Sequence, residues 1–78
     1  MKRVLIVEDV AETRRWLTDL AGRAFAGCEV REAATLREGL ALSGAEDFDL
    51  AVIDLGLPDG SGLEVMRSLR PAQREIAC

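Results

Sequence analysis

Apolar and polar positions along the chain fall into three repeats of one two-part pattern. Residues 2–7 lead into Val4-Leu5-Ile6-Val7, a continuous and largely β-branched apolar run, the pattern of a strand covered on both faces. After Glu8-Asp9, Val10, Trp16, Leu17, Leu20, Ala21, Ala24 and Phe25 recur at helical spacing, opposite Arg14, Arg15, Asp19 and Arg23. This spacing predicts an amphipathic helix that ends near Gly27. Trp16 and Phe25, and later Met66, read as helix-face packing, and Arg14-Arg15 as a solvated face.

The second repeat opens with Cys28 to Ala33, whose alternation predicts a half-exposed strand at a sheet edge. Thr35-Leu36-Arg37-Glu38 then has the form of a capping box, predicting a helix to about Ser43 with Leu36, Leu40 and Ala41 inward and Gly44 past its end. The third repeat begins with a buried strand, Leu50 to Ile53, which delivers Asp54 into the turn Leu55-Gly56-Leu57-Pro58-Asp59-Gly60-Ser61-Gly62. Ser61-Gly62-Leu63-Glu64 is a second capping box, with Leu63, Val65, Met66 and Leu69 as the apolar positions of a third helix and Pro71 as its stop. Strands that alternate with helices imply right-handed crossovers, hence an α/β fold with an open parallel sheet and helices on both faces.

Composition narrows the function. With 78 residues the chain has room for one domain and a modest core, and 49% hydrophobic with 31% charged residues is a globular balance. A formal net charge of -4 argues against a nucleic-acid surface, which needs a basic stripe. No apolar run approaches the roughly 20 residues that span a bilayer, and Glu8-Asp9 interrupts the first apolar run too early for a signal peptide, so a cytoplasmic location is expected. The chain has two cysteines, Cys28 and Cys78, and no histidine, which leaves zinc-thiolate chemistry without support. Cys28 reads as structural and Cys78 as incidental.

The chemistry concentrates at strand ends. In open parallel sheets, ligands sit beyond the carboxyl ends of the strands, where strand order reverses. Glu8-Asp9 and Asp54 each follow an apolar strand, so adjacent first and third strands would gather them. An isolated Glu-Asp pair is better explained by the helix macrodipole, and an isolated aspartate before a turn by turn chemistry. Their joint placement favours a shared site. Clustered carboxylates repel one another without a cation, and all-oxygen ligation suits Mg²⁺ or Mn²⁺. A cation beside Asp54 would neutralise an incoming phosphate and let the carboxylate act as nucleophile. Gly56, Gly60 and Gly62 match neither phosphate-binding glycine motif and are better explained by turn geometry.

Val4 to Asp9 and Asp49 to Leu63, taken together, resemble the receiver domain of bacterial two-component response regulators, and the likeness extends to about Pro71. The resemblance implies a flavodoxin-like (βα)5 fold abridged here to about (βα)3, a single partial domain over residues 1–78 with a polar tail at 72–78. It implies that Asp54 is the phosphoacceptor, forming 4-aspartylphosphate with a group taken from a sensor histidine kinase or a histidine phosphotransfer protein. It also implies Mg²⁺ held directly by Asp9, mainly through water by Glu8, and by Asp54 and the backbone carbonyl of Gly56, with Pro58 and Gly62 shaping the following loop. The family's fourth-strand Ser/Thr and fifth-strand Lys have no counterpart, and the tail Ala72 to Cys78 is too polar for the usual fourth strand. With sheet order second, first, third, the third strand would be an unprotected edge and one sheet face would be short of helices, inviting a homo-oligomer or another partner. Two other readings stand beside this one. One is a non-switching interaction or dimerisation module; the other, an Mg²⁺-dependent phosphohydrolase, usually needs a second aspartate two positions on, where this chain has Gly56.

Overall fold

Four buried residues in succession, Val4 to Val7, place the first strand at the centre of the molecule. The computed structural model describes residues 3–54, 56–68 and 76–77. In it β1 (Arg3–Val7) is flanked by β2 (Glu29–Ala33) and β3 (Leu50–Ile53), both parallel to it. Alternate side chains of β1 serve two cores. Val4 and Ile6 pack with Leu17, Ala21 and Phe25 of the α1 side (α1, Ala11–Ala24). Leu5 and Val7 pack on the other face with Leu36 of α2 (Leu36–Ala45), Val65 of α3 (Leu63–Ser68), Phe48 and Ile53. A strand that feeds two cores must be apolar at every position, which is why its sequence shows no alternation.

The crossover from β1 through α1 leads to β2, and the return through α2 leads to β3 on the opposite side of β1. Chain direction therefore switches sides between β1 and β3, and the crevice at their carboxyl ends is the place where such sheets bind ligands. Thr35 caps α2 as its sequence predicts, its Oγ1 accepting from the Glu38 N–H at 3.1 Å. Between β3 and α3 the chain forms a two-stranded hairpin, β4 (Gly56–Leu57) against β5 (Gly60–Ser61), with Leu57 buried in the core. The hydroxyls of Ser43 and Ser68 hydrogen-bond where α2 meets α3.

Several expectations are corrected. The sheet has a fourth strand, β6 (Ile76–Ala77), which pairs with β3 in the register Ala51↔Ile76 and Val52↔Ala77. The polar tail thus supplies two apolar residues to the ladder, and β3 is not the bare edge its sequence context implied; backbone pairing makes no demand on the polarity of flanking residues. Gly44 lies inside α2, which runs to Ala45, and Ala41 faces solvent. The Ser61–Glu64 box is not formed: Ser61 Oγ accepts from the Leu63 N–H, and Gly62 O takes the Val65 and Met66 N–H groups. Leu63 is exposed. Trp16 is 63% exposed and Leu20 48%, so these two do not pack onto the sheet. A single helix buries one stripe, and Leu17, Ala21 and Phe25 occupy it. Leu69, Pro71 and Cys78 lie outside the described residues.

Candidate metal and phosphoacceptor site

Two hydrogen bonds carry the parallel ladder past the ends of the strands. The Asp54 N–H donates to Val7 O at 2.8 Å, and the Glu8 N–H donates to Ala33 O at 2.9 Å. Since Val7 and Ile53 are partners in register, the next residues of each strand, Glu8 and Asp54, leave the sheet side by side. Glu8, Asp9 and Asp54 each offer a carboxylate oxygen, and these oxygens all lie within 4.8 Å of one another. Glu8 is buried, Asp54 half-buried and Asp9 exposed. α1 starts at Ala11 behind Val10, with no side-chain cap, so Asp9 is not taken up by the helix start. The three side chains expected to form one site are together.

Their protonation behaviour follows from this crowding. Burial raises the pKa of Glu8, and its hydrogen bond to Asp54 and the charges of Asp54 and Asp9 push in the same direction, against Arg14. Asp54 is held low, first by the Gly56 N–H, which donates to its Oδ1 at 3.0 Å, and then by its contacts with Glu8 and Asp9. Burial and crowding therefore push the two apart, Glu8 toward its protonated form and Asp54 toward the ionised form that a nucleophilic or metal-binding carboxylate needs.

Two glycines make this arrangement possible. A Cβ on Gly62 would collide with the Asp54 carbonyl oxygen and stand 2.6 Å from Ile53 Cγ2, so only glycine lets α3 begin against the end of β3. Gly60, at φ 153°, sits against the Leu36 side chain. Gly56, whose carbonyl is the expected ligand, stands next to the cluster, its N–H donating to Asp54 Oδ1 at 3.0 Å.

Two contributors escaped the sequence. Arg14, expected to be solvated, is half-buried; it donates to Glu8 O at 2.8 Å and pairs with Glu32 at 3.4 Å. Asp59 accepts from the Leu36 N–H at 2.7 Å and the Arg37 N–H at 3.1 Å. Neither contact has a local signal, because each spans elements that only the tertiary fold brings together. A Pro-Asp-Gly string reads simply as a turn.

The donor set is all oxygen, anionic and partly open to solvent, and so it fits a hard divalent cation. The response regulator receiver domain family matches residues 4–78. The KDP operon transcriptional regulatory protein KdpE of Escherichia coli K12 is 49% identical over 71 residues, 90% of this chain and 30% of that protein. Among solved structures, the MaeR response regulator bound to beryllium trifluoride superposes with a TM-score of 0.80 at 22% identity, over 100% of this chain and 65% of that one. A Burkholderia pseudomallei response regulator with a phosphorylated aspartic acid, calcium ion and citrate superposes with a TM-score of 0.70 at 31% identity, over 97% of this chain and 45% of that one. The chain thus spans about a third of the length of KdpE.

Proposed function

The chain belongs to the response regulator receiver domain family, and from that membership we propose that it is a phospho-accepting signalling module whose acceptor is Asp54. In the proposed reaction the N–P bond of a phosphohistidine on a sensor kinase or phosphotransfer protein breaks as an Asp54 Oδ–P bond forms. The carboxylate becomes an acyl phosphate, and the histidine nitrogen recovers its lone pair. The observation that carries this reading is the juxtaposition of Glu8, Asp9 and Asp54 within 4.8 Å at the β1–β3 switch point.

Asp9, Glu8, Asp54 and the Gly56 carbonyl would hold Mg²⁺, with Mn²⁺ as an alternative. When bound, the ion neutralises charge on the incoming phosphoryl oxygens. Asp54 is kept ionised by the Gly56 N–H, ready to attack. The raised pKa of Glu8 means that protons compete with a cation for this carboxylate.

Receiver domains are signalling domains rather than conventional enzymes, and any slow loss of the phosphoryl group belongs to this proposal. Among the described residues no helix is long and apolar enough to cross a membrane, which suits a cytoplasmic role. With net charge -4 the chain is proposed to act on proteins rather than directly on DNA. KdpE is a transcriptional regulatory protein of which this chain spans 30%. A second reading, a non-switching interaction or dimerisation module, is favoured by exposed Trp16 and Leu20 and by Leu50 and Val52, which stay half-buried on the α1 face of the sheet.

The test is to incubate the chain with MgCl2 and a small phosphodonor and to measure the intact mass. One phosphoryl adduct on the wild type and none on Asp54→Asn is the expected result. No adduct on either protein, or an equal adduct on both, would overturn the proposal.

A further inference from the structure

The hairpin that follows Asp54 is fastened at both ends. At its base, the Gly56 N–H donates to Asp54 Oδ1. At its tip, Asp59 spreads its two carboxylate oxygens over the first two amides of α2, accepting from Leu36 at 2.7 Å and Arg37 at 3.1 Å. Helix N-terminal amides lack intrahelical partners, so this contact satisfies two donors that would otherwise turn to water, and a carboxylate at that end also meets the positive pole of the helix. Thr35, the helix's own cap, takes only the third, on Glu38. The tip docks by shape as well. Leu57 is buried in the core, and Gly60 lies so close to Leu36 that a Cβ there would overlap its side chain.

We infer that Asp59 is a positioning residue for the acceptor site, an inference that rests on the proposed cation site. By clamping the hairpin tip to α2, it holds Gly56 in register beside Asp54, so that a cation and an incoming phosphoryl group meet a preformed loop. Removing the clamp leaves the carboxylates in place on their strands and frees the segment that follows them. Affinity then falls because the loop must be ordered at the moment of binding. The coupling is reciprocal: a cation bound at Asp54 tightens the Asp59 grip on α2.

The experiment is calorimetric titration of MgCl2 into the full chain, as wild type, Asp59→Ala, Asp59→Asn and Thr35→Ala. Thr35→Ala strips a cap from the same end of α2 without touching the hairpin, so it reports what mere loss of helix stability does. The expected result is weakening by about fivefold or more in Asp59→Ala, a smaller loss in Asp59→Asn, which keeps one acceptor oxygen, and no change in Thr35→Ala. Equal affinity in Asp59→Ala and wild type, or equal losses in Asp59→Ala and Thr35→Ala, would overturn the inference. Should Asp59→Ala not fold, hydrogen exchange on the wild type decides. MgCl2 should slow exchange of the Leu36 and Arg37 amides, and unchanged rates would refute the clamp. Wild type that binds no Mg²⁺ at all would strike the cation site itself, and that outcome is visible before any variant is compared.

Discussion

Gly62→Ala should be among the most damaging single-methyl additions to this chain. The new Cβ would run into the Asp54 carbonyl oxygen, stand 2.6 Å from Ile53 Cγ2 and 3.1 Å from the Asp54 carbonyl carbon. Two of these three neighbours are backbone of Asp54, and backbone cannot rotate out of the way as a side chain can. Either α3 lifts from β3, opening the contact of Val65 with the core, or Asp54 shifts away from Glu8. Overpacking of a buried position costs about 1–3 kcal/mol. Against the roughly 4–12 kcal/mol total expected of a chain this size, that lowers the melting temperature by roughly 5–20 °C. Gly44→Ala is the matched control, since Gly44 lies in α2 and a Cβ added there would meet nothing within 4 Å. There, helix propensity alone acts, and the variant should gain about 0.5–1 kcal/mol. Thermal melts followed by circular dichroism separate the two. A Gly62→Ala protein melting within about 2 °C of wild type would refute the claim that α3 begins in contact with the Asp54 backbone.

The pH dependence of stability should carry opposite marks of the two central carboxylates. Asp54 has its folded pKa lowered, so its contribution is present above its ordinary 3.8 and is lost as pH falls through the lowered folded value. Glu8 has its folded pKa raised, so its contribution is complete below its ordinary 4.5 and is lost as pH rises through the raised folded value. Without added metal, the two contributions are complete together only between 3.8 and 4.5, so denaturant unfolding should show their joint stabilisation declining as pH rises through the raised Glu8 value, and MgCl2 should offset that decline; a profile with no decline above 4.5 would contradict the crowding at Glu8. Mg²⁺ affinity should fall as the solution is acidified toward the Glu8 titration, because the cation must displace its proton, and calorimetry in buffers of different ionisation enthalpy would expose that proton. Phe48→Ala removes the largest fully buried side chain and should cost about 3–5 kcal/mol, lowering the melting temperature by roughly 12–40 °C; a cooperative melt near the wild-type temperature would count against its place in the core.

Secondary structure was largely legible in the sequence because each element announces itself over a short window. The Val4 to Val7 run, the Thr35 cap and the Leu50 to Ile53 run depend on neighbours a few residues away, and all three appear where the pattern puts them. Helix faces were less legible. Trp16 and Leu20 fall on the same broad apolar arc as Leu17 and Ala21, and which stripe is buried depends on what else covers that face of the sheet. The fourth strand was missed for a related reason. Two residues, Ile76 and Ala77, pair through backbone groups that every sequence possesses, so polarity of the surrounding tail carried no information about it.

By itself, the sequence determined the alternation of strand and helix, the positions of Glu8, Asp9 and Asp54 at strand ends, and hence the anionic, all-oxygen character of the site. Tertiary structure alone decided that β1 and β3 are neighbours in a register that sets Glu8 beside Asp54, that Glu8 is the buried member whose pKa is raised, and that Asp59 reaches back to α2. The division has a physical cause. Side-chain chemistry and local periodicity are written residue by residue, whereas proximity, burial and the charge each carboxylate carries arise only when segments distant in sequence share one low-dielectric crevice.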